Sequence, residues 1–184
     1  MTELNELIGK LSMEVQNEDK KASFLNSIKL IAAFYKEHLH LEDEEIAIFL
    51  TNDEKTILSF AYPEYLVDAG MIPVGSTEAT AASIFRRGIG IIENNFQQQR
   101  HLSIFEIIRT PDDKVKPLWK MMGTLIAAEG EKIGVIEISR RGETATEAGE
   151  DFGESDLQFL MGSIIKIAPY IKMVLPPDFR GKIA

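Results

Sequence analysis

Hydrophobic and polar positions alternate most regularly over residues 120–141. Two apolar runs, 120–128 and 132–141, flank Glu129-Gly130-Glu131, and this pattern predicts a β-hairpin. In the second run, strict alternation places Ile133, Val135 and Glu137 on one face and Gly134, Ile136 and Ile138 on the other. The expectation is a buried face covered by helices and a solvated face marked by Glu137. A glycine inside a strand, Gly134, predicts close approach of another backbone or of a ligand.

At both ends of the chain the period becomes helical. Leu4, Leu7, Ile8, Leu11 and Val15 form a narrow stripe. After a charged interruption, residues 22–40 carry Phe24, Leu25, Ile28, Ile31, Ala32, Tyr35 and Leu39, with Leu30 and Phe34 on another side. His38 and His40 lie near the end of that helix, where a cation complements the macrodipole. Their side chains diverge on a helix, which argues against a metal pair. The last helix carries Leu157, Leu160, Met161, Ile164, Ile167, Ala168, Ile171 and Val174. Ser155 and Gln158 have capping-box spacing at its start, Pro169 removes one hydrogen bond, and Pro176-Pro177 ends it.

Between these helices, residues 45–50 and 55–62 read as a strand pair that ends at Pro63. Residues 64–75 read as irregular. A short helix follows, capped by Ser76 or Thr77 and closed by Arg86-Arg87-Gly88, with cations in its last turn and glycine after it. Residues 89–92 predict a brief strand, 93–101 a polar loop, and 103–109 a short helix. The strand with Trp119, read as a core residue, leads into the long hairpin. Residues 142–153 read as an acidic, flexible loop.

Composition narrows the function classes. The 184 residues carry a net charge of −9, which argues against nucleic acid and anionic membrane as partners. Apolar residues make up 45 %, enough for a full core. The chain has no cysteine, so thiol nucleophiles, disulfides and Cys-ligated metals are excluded. Residues 163–175 include Lys166, Pro169 and Lys172 and read as too short and too charged to span a bilayer. With no signal peptide visible at the N-terminus, the expected location is cytoplasmic. No phosphate-binding loop, nucleophile elbow or zinc-protease motif occurs.

Three segments carry a resemblance. Residues 72–94, from Ile72-Pro-Val-Gly75 through Phe85-Arg-Arg-Gly-Ile-Gly-Ile-Ile-Glu-Asn94, are similar to the glycine-helix-strand segment of GAF domains, a family of small-molecule sensors. Residues 131–139 resemble the penultimate strand of that family, and residues 152–160, with Asp156, the start of its last helix. The resemblance implies an α+β fold with a central antiparallel sheet of five to six strands. N- and C-terminal helices would cover one face, and a loop-and-short-helix pocket the other. PAS-like architecture is the runner-up. The division expected is an N-terminal helical arm over 1–21, a GAF-like domain over 22–175 and a tail over 176–184.

The family pocket lies between one sheet face and irregular segments, here 62–75 and 93–109. Candidate ligand-binding residues are therefore Tyr62, Tyr65, Asn94, Phe96, Arg100, His101 and Arg109, which combine aromatic surface with hydrogen-bond donors. Arg100 or Arg109 would meet a carboxylate or phosphate. His101 is the candidate axial ligand for a haem-binding member; the alternative is a solvated loop histidine. The Asn-Lys…Phe…Asp-Glu pattern of cyclic-nucleotide members is absent. Members that reduce methionine sulfoxide rely on cysteine, absent here as well. The expected function is a sensory module, not an enzyme, that binds a small ligand and signals through a homodimer, with a separate output protein as a possible partner. Ligand and cofactor identity stay open. A ligand-free dimerisation or protein-interaction domain is the alternative.

Overall fold

Residues 2–98 and 116–181 are described by a computed structural model. Two helices open the chain, α1 (Thr2–Val15) and α2 (Lys20–Leu39). Strands β1 (Ile46–Thr51), β2 (Ile57–Tyr62) and β3 (Met71–Pro73) follow. Then come helix α3 (Thr80–Arg87), strands β4 (Ile91–Glu93), β5 (Leu118–Ala128) and β6 (Glu131–Arg141), and helix α4 (Glu154–Val174). The strands form one antiparallel sheet of six, ordered β3-β2-β1-β6-β5-β4. The short edge strand β3 lies in a stretch that reads as irregular in the sequence, and Pro73 ends it.

Helices α2 and α4 cover one sheet face, and α1 packs against both of them. Leu7 and Leu11 of α1 join Phe24, Ile28, Ile31 and Tyr35 of α2 and Leu160, Ile164, Ile167 and Ile171 of α4 over Ile48, Met122, Ile136 and Ile138. The stripe of α1 is thus used within the chain. Phe179, beyond α4, is also buried and its ring meets that of Phe24 at 5.3 Å. The opposite face holds Ala47, Phe49, Leu58, Phe60, Met121 and Val135 under Ala81, Ala82, Ile84 and Phe85 of α3.

The long hairpin forms where alternation predicts it, with Gly130 in a left-handed conformation in its turn. Gly134 is there because β1 comes close: a Cβ would lie 2.2 Å from the Phe49 carbonyl oxygen. Strict alternation fails at one point on β6. Ile126 pairs with Gly134 but Ala127 pairs with Lys132, so Ile133 is an extra, bulged residue. The bulge turns Ile133 toward the helical layer, with Ile136 and Ile138, instead of toward Val135.

Several expected ends shift. Ser76 Oγ accepts from the backbone N–H groups of Glu78 and Ala79, so α3 begins later, with Ala79 at its N-cap. Gly88 closes α3 as expected, left-handed and donating to the Ile84 carbonyl at 2.8 Å. At α4 the cap is Gly153, whose N–H donates to Asp156 at 2.8 Å, two residues before the expected box. Helix α4 continues through Pro169. The 142–153 loop packs down instead of standing free. Lys120 pairs with Asp151 at 2.9 Å, the Arg140 guanidinium lies 4.8 Å from the Phe152 ring centre, and Ala148 and Phe152 are buried. Trp119 is half-buried and donates to the Gly142 carbonyl at 2.9 Å.

By length and composition α4, at 21 residues, could cross a membrane, a reading that residues 163–175 alone do not give. One side of it is core. Its other side carries exposed Met161, Ile165 and Met173, which raise its hydropathy.

Candidate functional site

The face beneath α3 carries the candidate site. Helix α3 is held there through its last turn by two basic side chains. Arg86 donates to the carbonyls of Val74 and Ser76, fixing the helix to the segment before it. Lys132 Nζ donates to the carbonyls of Phe85 and Arg86, both at 2.8 Å, where a cation meets the negative end of the helix. The pair Arg86-Arg87 therefore splits: Arg86 is structural, while Arg87 lines a cleft.

That cleft lies between α3 and the β4–β5 edge and encloses about 260 Å³. Thr80, Ser83 and Arg87 line it from α3; their spacing of three and four residues puts them on one helix side. The opposite side, Ala81, Ala82, Ile84 and Phe85, is buried on the sheet. Ile91, Ile92 and Glu93 of β4, Met121 of β5 and the buried Phe96 make the other walls. Thr77, Glu78 and Ala79 complete the rim. Apolar walls with a few convergent hydroxyls and charges are the ordinary make-up of a small-molecule site.

Glu137 lies on this same sheet face, and the solvated position expected for it is wrong. It is 4 % exposed, and its Oε1 has no hydrogen-bond partner among the described residues. Its cross-strand neighbours are the small residues Ala47 on β1 and Gly123 on β5, which leave room for its side chain. A helix covers a face that alternation alone marks as solvent. Burial without a compensating charge pushes the Glu137 carboxyl up to about 8, so it is protonated at neutral pH.

The four sequence candidates among the described residues lie apart. Of these four, Phe96 alone reaches the α3 cleft. Tyr62 and Tyr65 line a separate groove against α2, with Lys29, Lys36 and Asp43. The reason is a second bulge. Ile48 pairs with Tyr62 while Phe49 pairs with Phe60, so Ala61 is the extra residue and Tyr62 turns to the helical side. There Tyr62 donates to Asp43 at 2.8 Å. Lys36 first, and then Tyr62, holds the Asp43 carboxyl below its ordinary range. Partial burial and the Asp43 charge push the Tyr62 phenol up.

Asn94 is a tie between segments: its amide donates to the Phe152 carbonyl and accepts from the Phe152 N–H, each at 3.0 Å. Arg100, His101 and Arg109, with the predicted 103–109 helix, lie outside the described residues. Among those residues no cluster of His, Asp and Glu could hold a metal ion.

The chain superposes on known structures over most of its length. A GAF domain of a phosphoenolpyruvate-protein phosphotransferase from Coxiella burnetii superposes with a TM-score of 0.63 at 15 % identity, covering 93 % of this chain and 94 % of its own. The corresponding Acinetobacter domain gives 0.63 at 11 %, covering 92 % of each chain. Residues 122 to 287 of a methyl-accepting chemotaxis protein give 0.62 at 15 %, covering 91 % of this chain and 96 % of that one. The fold is that of a GAF domain. At these identities the likeness is one of GAF architecture alone; no protein-family model and no curated protein matches the sequence.

The parts of this GAF fold that the sequence reading missed are Thr80, Ser83, Arg87 and Glu137. The first three were legible as a polar stripe opposite Ala81, Ala82, Ile84 and Phe85. Glu137 had one signal, a glycine placed to face it once the hairpin register is drawn.

Proposed function

We propose that this chain is a sensory or regulatory module that takes a small organic ligand into the α3 cleft and works as a homodimer. One observation carries the ligand reading: apolar Ile91, Phe96 and Met121 stand across the cleft from Thr80, Ser83 and Arg87. That division lets burial supply affinity while a few polar groups orient the ligand. Domains of the same fold in a chemotaxis protein and in phosphotransferases support a regulatory role. A Neisseria meningitidis free methionine-R-sulfoxide reductase of this fold is an enzyme in complex with its substrate. The present chain lacks cysteine altogether, and the reading is binding without catalysis.

The homodimer reading rests on α4. Met161, Ile165 and Met173 are 38 %, 67 % and 62 % exposed and recur at multiples of four residues, a continuous apolar stripe. Half-buried Leu25, Leu30 and Phe34 of α2, with Phe159 and Tyr170 of α4, add apolar surface on the helical layer. A stripe of this kind on an otherwise acidic surface suits contact with a second copy.

Native mass spectrometry of purified protein, with a thermal-shift screen of metabolites, tests the ligand reading. A retained or stabilising compound is expected, and Ser83→Trp, which fills the cleft, abolishes its effect. A ligand at a hundredfold excess over its Kd raises stability by about 2.7 kcal/mol. A screen without response, or compounds indifferent to Ser83→Trp, leaves a ligand-free dimerisation domain instead.

A further inference from the structure

Three basic side chains meet at the end of α3, and two of them are committed. Arg86 is spent on the carbonyls of Val74 and Ser76, and Lys132 on those of Phe85 and Arg86. The ordinary task of a cation at a helix C-terminus, offsetting the dipole, is thereby filled. Arg87 is the third. It lines the α3 cleft and, among the described residues, its side chain makes no ion pair and no hydrogen bond. Ser83 and Thr80 stand about one and two turns before it on the same helix side. One wall of the cleft is therefore a line of donors that ends in a free guanidinium. The facing wall is apolar, with Ile91, Phe96 and Met121.

We propose that Arg87 is the anchor of this cleft and that it selects a small organic carboxylate with an apolar body. The inference rests on the α3 cleft being a ligand site and adds the ligand's chemical class. A guanidinium offers two parallel N–H groups that match the two oxygens of a carboxylate, and the paired bonds are charge-assisted. Ser83, four residues earlier, is placed to donate to the same group. The apolar wall then buries the rest of the ligand. An inorganic anion gains only an exposed ion pair, which water and salt weaken.

The cleft's own carboxylates do not fill the place of the ligand. Glu78 precedes α3 and Arg87 is its last residue, so the two lie at opposite ends, with about 10 Å of helix between them. Glu93 turns to its own loop, where its Oε1 accepts from the Asn95 N–H at 2.8 Å.

The test uses the full chain and compounds of related shape: benzoate and phenylacetate as carboxylates, benzamide as the neutral form, benzamidine as the cation. Inorganic phosphate serves as an anion without an apolar body. Calorimetry and thermal shift compare wild type with Arg87→Ala, Arg87→Lys and Ser83→Trp. Arg87 is exposed, so its variants should fold as wild type does. One or both carboxylates are expected to bind wild type about tenfold or more tightly than benzamide, as the loss of a bond to a charged group implies. Benzamidine and phosphate should not substitute. Arg87→Ala should reduce the carboxylate to the affinity of the amide. Arg87→Lys should recover part of the difference, since it keeps the charge and loses the fork.

A wild type that ignores both carboxylates overturns the proposal, as does benzamide or benzamidine binding equally well. A carboxylate bound as tightly by Arg87→Ala also overturns it. If Ser83→Trp still blocks that compound, or blocks a metabolite that is not a carboxylate, the cleft remains the ligand site and only the ligand class falls.

Discussion

Tyr35 Oη lies 2.8 Å from Ser163 Oγ, so α2 and α4 are joined by a hydrogen bond inside the helical layer. Ser163 also lies 2.7 Å from the Phe159 carbonyl, to which its single proton is given, so the tyrosine is the donor to the serine. The two deletions are then unequal. Tyr35→Phe leaves Ser163 satisfied and should cost about 0.5–1.5 kcal/mol. Ser163→Ala strands a buried phenol and should cost about 1–3 kcal/mol. Denaturant titration of both variants measures the difference, and the serine variant should be the weaker.

Stability should fall with rising pH on account of Glu137. Its folded-state pKa is raised from 4.5 to about 8, so the folded chain keeps a proton that the unfolded chain releases. The contribution is fully present below pH 4.5, is lost progressively as pH rises to about 8, and stays level above that. The stability gap between wild type and Glu137→Gln should change over that window by at most about 1.4 kcal/mol per pH unit, against wild type. Denaturation of the two proteins at four pH values between 5 and 9 measures it; parallel curves would refute a neutral buried acid.

The β1–β6 contact leaves no room for a side chain at Gly134. Gly134→Ala sets a methyl against the Phe49 carbonyl, a backbone atom that cannot swing aside, and should cost at least about 3 kcal/mol. Ile136, fully buried on the helical side of the same strand, should lose about 2–5 kcal/mol on change to alanine. Chemical denaturation checks both.

Sequence pattern made much of this fold legible, and its failures have a common cause. The hairpin, the two terminal helical stripes and the glycine closing α3 follow from local periods and from φ preferences. Side-chain parity did not survive the bulges at Ala61 and Ile133, because an extra residue reverses every face assignment beyond it. Tyr62 thereby left the expected pocket. Glu137 was misread for a different reason: alternation reports that two faces differ, and a covering helix removes the difference in burial without removing the charge. Asn94 shows a third limit, since a polar side chain in a loop can serve backbone groups 58 residues away.

If the apolar stripe of α4 joins two copies, a charge at its centre should separate them. Ile165→Glu is expected to turn a dimer into a monomer in light scattering at high micromolar concentration. The folded domain should be little affected, because Ile165 is 67 % exposed. A wild-type monomer under the same conditions would rule the dimer out.

The tip of the β5–β6 hairpin has a mechanical consequence. Lys132 there grips the end of α3, while its neighbour Glu131 meets Lys55 at 2.7 Å and Lys172 of α4 at 3.1 Å. Two layers on opposite sides of the sheet are thus moored to adjacent residues of one turn. Its ion pairs are exposed and screened by salt, so they slip before they strain. The tip thus ties the end of α3 to α4 past the ends of the strands, through side chains that lie outside the core.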